Sequence, residues 1–370
     1  MKKVVHITSV HQRYDTRIFH KECISLKKAG YDVSLVVADG KGDEEKNGIK
    51  IYDVGKQTNR LKRLLFTSKA VIKKAKELNA DLYHYHDPDL LIEARTLSTN
   101  AHLIFDSHED FPALMLQRDY IPSIFRSLLF KIARRIETTS AKQMSAVVCA
   151  TDNIRDKFIN YERVEAITVK NYPIANLNTT PINHTEITPP VACYVGGLTP
   201  IRGVKEMILS CHKAGIKLLL AGPFDSEDYL KEMQSLKEWE NVEYLGYVES
   251  TQVKEKVYDK STLGLALLHK APNHTLSIPI KQLEYMIEGL PTISSQEVIF
   301  CKEVIEKEKC GIVVNPLNIE EISQAIKTII NNKTLAQEMS NKAYISAKEK
   351  YNWLSQEKEL LKLYKSLLKE

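Results

Sequence analysis

An α/β architecture of two Rossmann-like domains, with parallel sheets facing a central cleft, follows from three observations. Short β-rich runs alternate with helical patterns from one end of the chain to the other. Those runs are near-continuous apolar stretches, as expected of strands covered by helices on both faces. One break, "NYPIANLNTTPINHTEITPP" at residues 171–190, is rich in Pro, Asn and Thr and has no period, as a linker would be. The 370 residues are many for one core and comfortable for two. The expected division is 1–172 for the first domain, 173–190 for the linker and 191–350 for the second domain. Residues 351–370 are expected to form a C-terminal helix that packs back toward the first domain. In such sheets ligands bind beyond the carboxyl ends of the strands.

The first half supplies the runs "VVHITSV", "DVSLVVAD", "ADLYHYH", "HLIFDSHE" and "AVVCATD". It also carries the positive charge. Residues 1–180 hold 29 Lys and Arg against 22 Asp and Glu, and the remainder 23 against 25, within a net charge of +5. Two helical stretches account for the excess. Over residues 59–78, Leu61, Leu64, Leu65, Ser68, Val71, Ile72, Ala75 and Leu78 keep the helical period, while the cations fall elsewhere around the helix. Residues 121–137 repeat the idea with Arg126, Lys131, Arg134 and Arg135. A core-facing stripe with a solvated basic face explains both. Contact with an anionic membrane surface or an anionic lipid-linked substrate is the sharper alternative to that simpler reading.

The balance of 43% hydrophobic and 27% charged residues is that of a globular protein in water. The apolar run after Met1 is too short for a signal peptide, and no stretch approaches the ~20 apolar residues of a spanning helix. Cys23, Cys149, Cys193, Cys211, Cys301 and Cys310 have no metal or redox spacing. They are expected to be buried in a reducing, cytoplasmic setting.

The second half supplies "VACYVGG", "KLLLAGPF", "VEYLGYV", "LGLALL", "PTISS" and "GIVVN". After the first of these, "YVGGLTPIRGV" at residues 194–204 runs from strand to helix through Gly196, Gly197 and Arg202. Glycines let backbone approach a ligand, a helix start offers N–H groups to an anion, and Arg202 adds a fixed charge. The spacing is neither G-x-G-x-x-G nor a Walker motif. A ligand-free turn would use the same glycines. Further on, "SIPIKQLEYMIEGLPTI" at residues 277–293 reads as a helix opened by Pro279 and closed by Gly289 and Pro291. Glu284 on it could accept two ribose hydroxyls while Lys281 faces phosphate.

Together these two stretches resemble the donor-binding half of the family 4 retaining glycosyltransferases, nucleotide-sugar enzymes of the two-domain GT-B fold. "LEYMIEGLPTI" is similar to that family's ribose-binding helix, with its second Glu at Glu284. "RYDTRIFHKECISLKKAGYDVSLV", "YHYHDPDLL" and "FDSHEDFP" resemble bacterial polysaccharide-biosynthesis members, so the likeness covers nearly the whole chain. It implies metal-independent transfer of a sugar from a nucleoside-diphosphate sugar to a saccharide or lipid-linked saccharide, with no cofactor. Gly196, Gly197, Arg202, Lys281 and Glu284 would bind the donor. His108 is expected to stabilise departure of the diphosphate alongside Arg202 and Lys281. Asp15, Arg17 and Glu109 are expected on the acceptor side.

The chain also departs from the family's pattern. The loop Arg position is Gly197, the loop Lys position is Arg202, and the first Glu of the helix motif falls at Leu276. "HYHDPD" spells Asp87-x-Asp89, a metal motif in the other glycosyltransferase fold. A strand-end turn with Pro88 opening a helix is the expectation here, and no metal is expected. Expected partners are the nucleotide sugar, the acceptor and an anionic membrane surface reached through 59–78 and 121–137, with no nucleic acid. A cytoplasmic enzyme at the inner membrane face fits these expectations. A nucleotide-sugar 2-epimerase and a non-catalytic sugar-binding protein share the fold and are the competing classes.

Overall fold

The computed structural model describes residues 1–56, 66–97, 100–117, 122–162, 164–175 and 181–369, without the side chains of 95, 114, 161, 162, 272 and 273. The chain forms two compact units. Met1–Asn171 and Gln356–Glu370 make one, and Tyr172–Ser355 the other.

The first unit is built on an eight-stranded sheet. Its strands are β1 (Lys3–Ile7), β2 (Asp32–Val37), β3 (Glu44–Lys46), β4 (Ile49–Asp53), β5 (Leu82–Tyr85), β6 (His102–Ser107), β7 (Ala146–Cys149) and β8 (Ala166–Thr168). Their order is β3-β4-β2-β1-β5-β6-β7-β8, parallel throughout except where β3 lies antiparallel to β4 at the edge. The order reverses direction at β1 and β5. That switch point is where doubly wound sheets place ligands. In the parallel register His6 stands opposite His84. Alternation along β5 then sends His84 and His86 to one side.

The second unit carries β9 (Val191–Val195), β10 (Lys217–Ala221), β11 (Val242–Tyr244), β12 (Leu263–Ala266), β13 (Thr292–Ser295) and β14 (Gly311–Val314). These pair in the order β11-β10-β9-β12-β13-β14, all parallel, with the switch point at β9. Its core includes Ala192, Met207, Ile208, Leu218, Leu220, Leu265 and Ile326, all fully buried. Gly264 in β12 is required by packing, because a Cβ there would lie 2.5 Å from the Tyr285 ring.

The two basic helices behave differently. In helix Ser68–Leu78, Ser68, Val71, Ile72 and Ala75 are buried as the stripe predicts, while residues 59–65 lie outside the described residues. Helix Ser123–Ala141 corrects its expectation. Its buried residues are Ala133, Glu137, Ser140 and Ala141, whereas Ile124, Phe125, Leu128, Leu129 and Ile132 face outward. On the packed face Glu137 meets Lys157 Nζ at 2.6 Å, and the residues packed beside it are the small Ala133, Ser140 and Ala141. All six cysteines are free and buried. Among the described residues, no helix is long and apolar enough to cross a membrane.

Candidate functional site

At the carboxyl end of the first sheet, one segment closes over β1 and β5. Asp15 caps it, its Oδ1 accepting from the Arg17 and Ile18 N–H groups at 2.8 and 3.0 Å. The His20 N–H bonds the Asp15 carbonyl five residues back, so Thr16–Cys23 winds with the wide π spacing. That winding buries Arg17, Ile18, Phe19, Lys21, Glu22 and Cys23 together.

Arg17 departs from its expected acceptor role. Its guanidinium is 3% exposed and grips Asp106 at 2.8 and 3.0 Å, with a third bond to the Val169 carbonyl. A side chain so enclosed positions others instead of meeting a substrate. Burial pushes the Asp106 carboxyl up, but Arg17 and His108 beside it more than offset this and hold it well below the carboxylate range. Asp106 Oδ2 lies 3.2 Å from His108 Nε2 and 3.4 Å from His86 Nδ1. His108 is partly exposed, and Glu109 next to it is exposed. Asp15 also faces His11 at 3.2 Å, and that hydrogen bond raises the His11 pKa.

The D-x-D carboxylates are engaged as a strand-end turn requires. Asp87 accepts from the Thr8 hydroxyl at 2.7 Å and the Ser9 N–H at 2.6 Å, and Asp89 from the Ser9 hydroxyl at 2.9 Å. Pro88 opens a short 3-10 turn, Pro88–Leu90. His84 and His86 turn instead to His6, Glu22 and Tyr364. His6 Nδ1 is 2.9 Å from His86 Nε2, and the Tyr364 hydroxyl is 2.8 Å from His84 Nδ1 and 3.3 Å from His6 Nε2. Burial lowers the pKa of all three imidazoles and raises that of Glu22. Sequence reasoning missed His6 and Glu22. Their signal was a polar residue inside an otherwise apolar run in "VVHITSV", and a carboxylate four residues after Ile18 on the buried side.

In the second unit, β9 ends in the glycine turn. Gly196 adopts φ 149°, and its N–H donates to the Ala221 carbonyl at 2.9 Å. A Cβ on the facing Gly222 would lie 1.8 Å from the Gly196 carbonyl oxygen, so the turns after β9 and β10 meet backbone to backbone. Arg202 folds back over this turn. Its Nη1 donates to the Tyr194 hydroxyl at 3.3 Å and lies 3.8 Å from where a Gly197 Cβ would stand. A 3-10 turn, Pro200–Arg202, precedes helix Val204–Ala214, and no side chain caps that helix. Gly203 between them has φ 75°, and a Cβ there would strike the Leu267 carbonyl.

Helix Ile280–Ile287 follows Pro279 and ends before Gly289, whose φ is 70°. It buries Gln282, Leu283, Tyr285 and Met286 and leaves Lys281 and Glu284 partly exposed. Glu284 Oε2 accepts from the Tyr258 hydroxyl at 2.7 Å and from Lys281 Nζ at 2.6 Å. Lys281 therefore neutralises Glu284 instead of standing alone as a phosphate contact. Leu276, at the missing Glu position, is 49% exposed. Tyr194, Tyr258 and the His269–Glu206 pair at 3.3 Å carried no signal in the sequence. The first unit thus gathers His108, Asp106, Asp15 and Arg17, and the second Arg202 over the Gly196–Gly197 turn and Lys281 against Glu284.

Two family profiles match, "Glycosyltransferase Family 4" over residues 16–170 and "Glycosyl transferases group 1" over 180–346. An uncharacterised glycosyltransferase of Haemophilus influenzae is 22% identical over 342 residues, covering 88% of this chain and 89% of that protein. Another, of Methanocaldococcus jannaschii, is 29% identical over 177 residues, covering 46% of this chain and 44% of that protein, so this match spans less than half the relative's length. Sucrose-phosphate synthase of Thermosynechococcus elongatus superposes with a TM-score of 0.76 at 15% identity, covering 100% of both chains. Anabaena HepE in complex with UDP and glucose superposes at 0.68 with 16% identity, covering 99% of this chain and 100% of that one.

Proposed function

This chain belongs to the family 4 glycosyltransferases and has the two-domain GT-B fold, and on that premise we propose a retaining transfer from a nucleoside-diphosphate sugar that needs no metal at the diphosphate. The observation that carries the reading is Arg202 held over a turn of two glycines at the switch point of the second sheet. Such a turn admits a diphosphate against bare backbone, and the guanidinium matches its oxygens. Glu284, oriented by Tyr258, is placed on its helix to accept ribose hydroxyls. Lys281 is shared between Glu284 and a phosphate oxygen. As the glycosidic bond lengthens, charge grows on the departing diphosphate. Arg202, Lys281 and the N–H groups at the uncapped start of helix Val204–Ala214 stabilise it. His108, steadied by Asp106, is the hydrogen-bonding group offered by the first unit, and Asp15 and Glu109 belong to the acceptor side. The commitment of Asp87 and Asp89 to Thr8 and Ser9 supports a reading without a diphosphate-bound metal.

The acceptor is a saccharide or lipid-linked saccharide in cell-surface polysaccharide synthesis. An anionic cytoplasmic membrane face is the docking surface. The outward apolar residues of helix Ser123–Ala141 lie among Arg126, Lys131, Arg134 and Arg135, a composition suited to anionic lipid. Calorimetry and thermal-shift titration with UDP, GDP, ADP and their sugars test the donor side. At least one nucleoside diphosphate should raise the melting temperature with concentration. Indifference to every nucleotide would remove this reading.

A further inference from the structure

The first unit holds a cluster of side chains that the transfer reaction does not use. His6 from β1, His84 from β5, His86 just beyond its end and Glu22 from the π-wound segment converge with no solvent exposure of their side chains. Glu22 Oε2 lies 3.8 Å from His6 Nδ1, 3.9 Å from His84 Nδ1 and 3.9 Å from His86 Nε2. These separations are too long for hydrogen bonds, and Oε2 accepts none. One carboxylate oxygen nearly equidistant from three imidazole nitrogens marks the corners of a four-ligand shell. For bonds of about 2.1 Å, a tetrahedron has edges of roughly 3.4 Å. His6 Nδ1 and His86 Nε2 are 2.9 Å apart, the three edges from Glu22 Oε2 are 3.8–3.9 Å, and the ligand atoms of the four residues all lie within 4.8 Å of one another.

We propose that His6, Glu22, His84 and His86 form a structural site for a divalent transition metal ion, with Zn2+ the best fit. Three nitrogens and one oxygen suit Zn2+ and disfavour Ca2+ and Mg2+, which take oxygen shells. The outer shell is in place. His86 binds through Nε2 while its Nδ1 faces Asp106 at 3.4 Å, and His6 binds through Nδ1 while its Nε2 faces the Tyr364 hydroxyl. Arg17, 3.0 Å from Glu22 Oε1, keeps that carboxylate turned so that Oε2 points at the imidazoles. The ion displaces the contact between His84 Nδ1 and Tyr364. It ties β1, β5 and Thr16–Cys23 together beneath His108. No substrate reaches a site so enclosed, so the ion takes no part in transfer, and the proposal stands apart from the donor chemistry.

The test uses the full-length, tag-free chain, stripped by chelator and then titrated with ZnCl2 and, separately, CoCl2. Elemental analysis should find one Zn2+ per chain after desalting. Co2+ should give the intense visible bands of four-coordinate nitrogen–oxygen ligation. Glu22→Gln and His86→Ala should weaken binding at least tenfold. Far-UV circular dichroism of each metal-free variant, matched against the stripped parent, serves as the folding control. A stripped parent chain that regains no stoichiometric Zn2+ and gives no Co2+ bands overturns the proposal. So does undiminished binding in a folded Glu22→Gln chain.

Discussion

Arg202 is where the donor reading is most exposed to experiment. It lies in the loop proposed to hold the diphosphate, and its guanidinium already folds over the glycine turn. Replacing one preorganised charge donor at a developing anion typically costs about 10²–10³ in rate. Arg202→Ala should therefore lower kcat by about that factor, with the fold and melting temperature kept, because among the described residues the Arg202 side chain makes one long hydrogen bond, to the Tyr194 hydroxyl at 3.3 Å. Steady-state rates and nucleotide affinity for the variant check this. Unchanged turnover and affinity would remove Arg202 from the mechanism. Some residues were legible before the structure. Glu284, Arg202 and the Asp87–Pro88–Asp89 turn stand in contiguous motifs whose spacing carries meaning. The partners that give them geometry were not legible, since Tyr258 reaches Glu284 across 26 positions and Tyr364 reaches His84 across 280. Period and spacing report neighbours along one element and are silent about such pairs.

At the scale of elements, strands set in continuous apolar runs were readable, and three that are not were missed. β3, β4 and β8 carry three to five residues each, and β3 is mostly charged, so no window distinguishes them from loop. Helix Ser123–Ala141 shows the opposite failure, a correct helix whose apolar stripe faces out while Glu137, paired with Lys157, lies on its buried side. That face makes a prediction. The chain should sediment with anionic vesicles and not with neutral ones, and replacing both Ile124 and Leu128 with Ser should lower the bound fraction several-fold. Equal recovery with both lipids would contradict membrane docking. A second prediction concerns the join between helices Ile299–Glu308 and Lys333–Glu349. Burial pushes the Glu308 carboxyl up, yet hydrogen bonds from Lys350, Ser346 and Tyr351 outweigh it and lower its pKa below 4.5. A carboxyl depressed in the fold stabilises it above the unfolded pKa and loses that contribution as pH falls through the folded one. Glu308→Gln should thus melt below the parent at pH 7, with the gap closing as pH drops beneath about 4. Melting curves across pH 3–7 would show it, and a constant gap would refute the assignment.

For the molecule as a whole, two parallel sheets with switch points at β1–β5 and at β9 place the glycine turn and the His108 edge at strand carboxyl ends, where the α/β fold puts ligands. That architecture was legible because buried parallel strands leave unmistakable apolar runs. The side-chain cluster beneath His108 was not, because it is assembled from β1, Thr16–Cys23, β5 and the C-terminal helix, four segments far apart in sequence. The proposed reaction is retaining transfer from a nucleotide sugar to a separate acceptor. Its most direct test incubates the full chain with a panel of nucleotide sugars and acceptor glycans, without added divalent cation. Nucleoside diphosphate release and the anomeric proton couplings of the product are followed by NMR. Release should depend on acceptor, and the product glycosidic bond should keep the donor's own anomeric configuration. A product of inverted configuration, or an isomerised donor formed with no acceptor present, would contradict it.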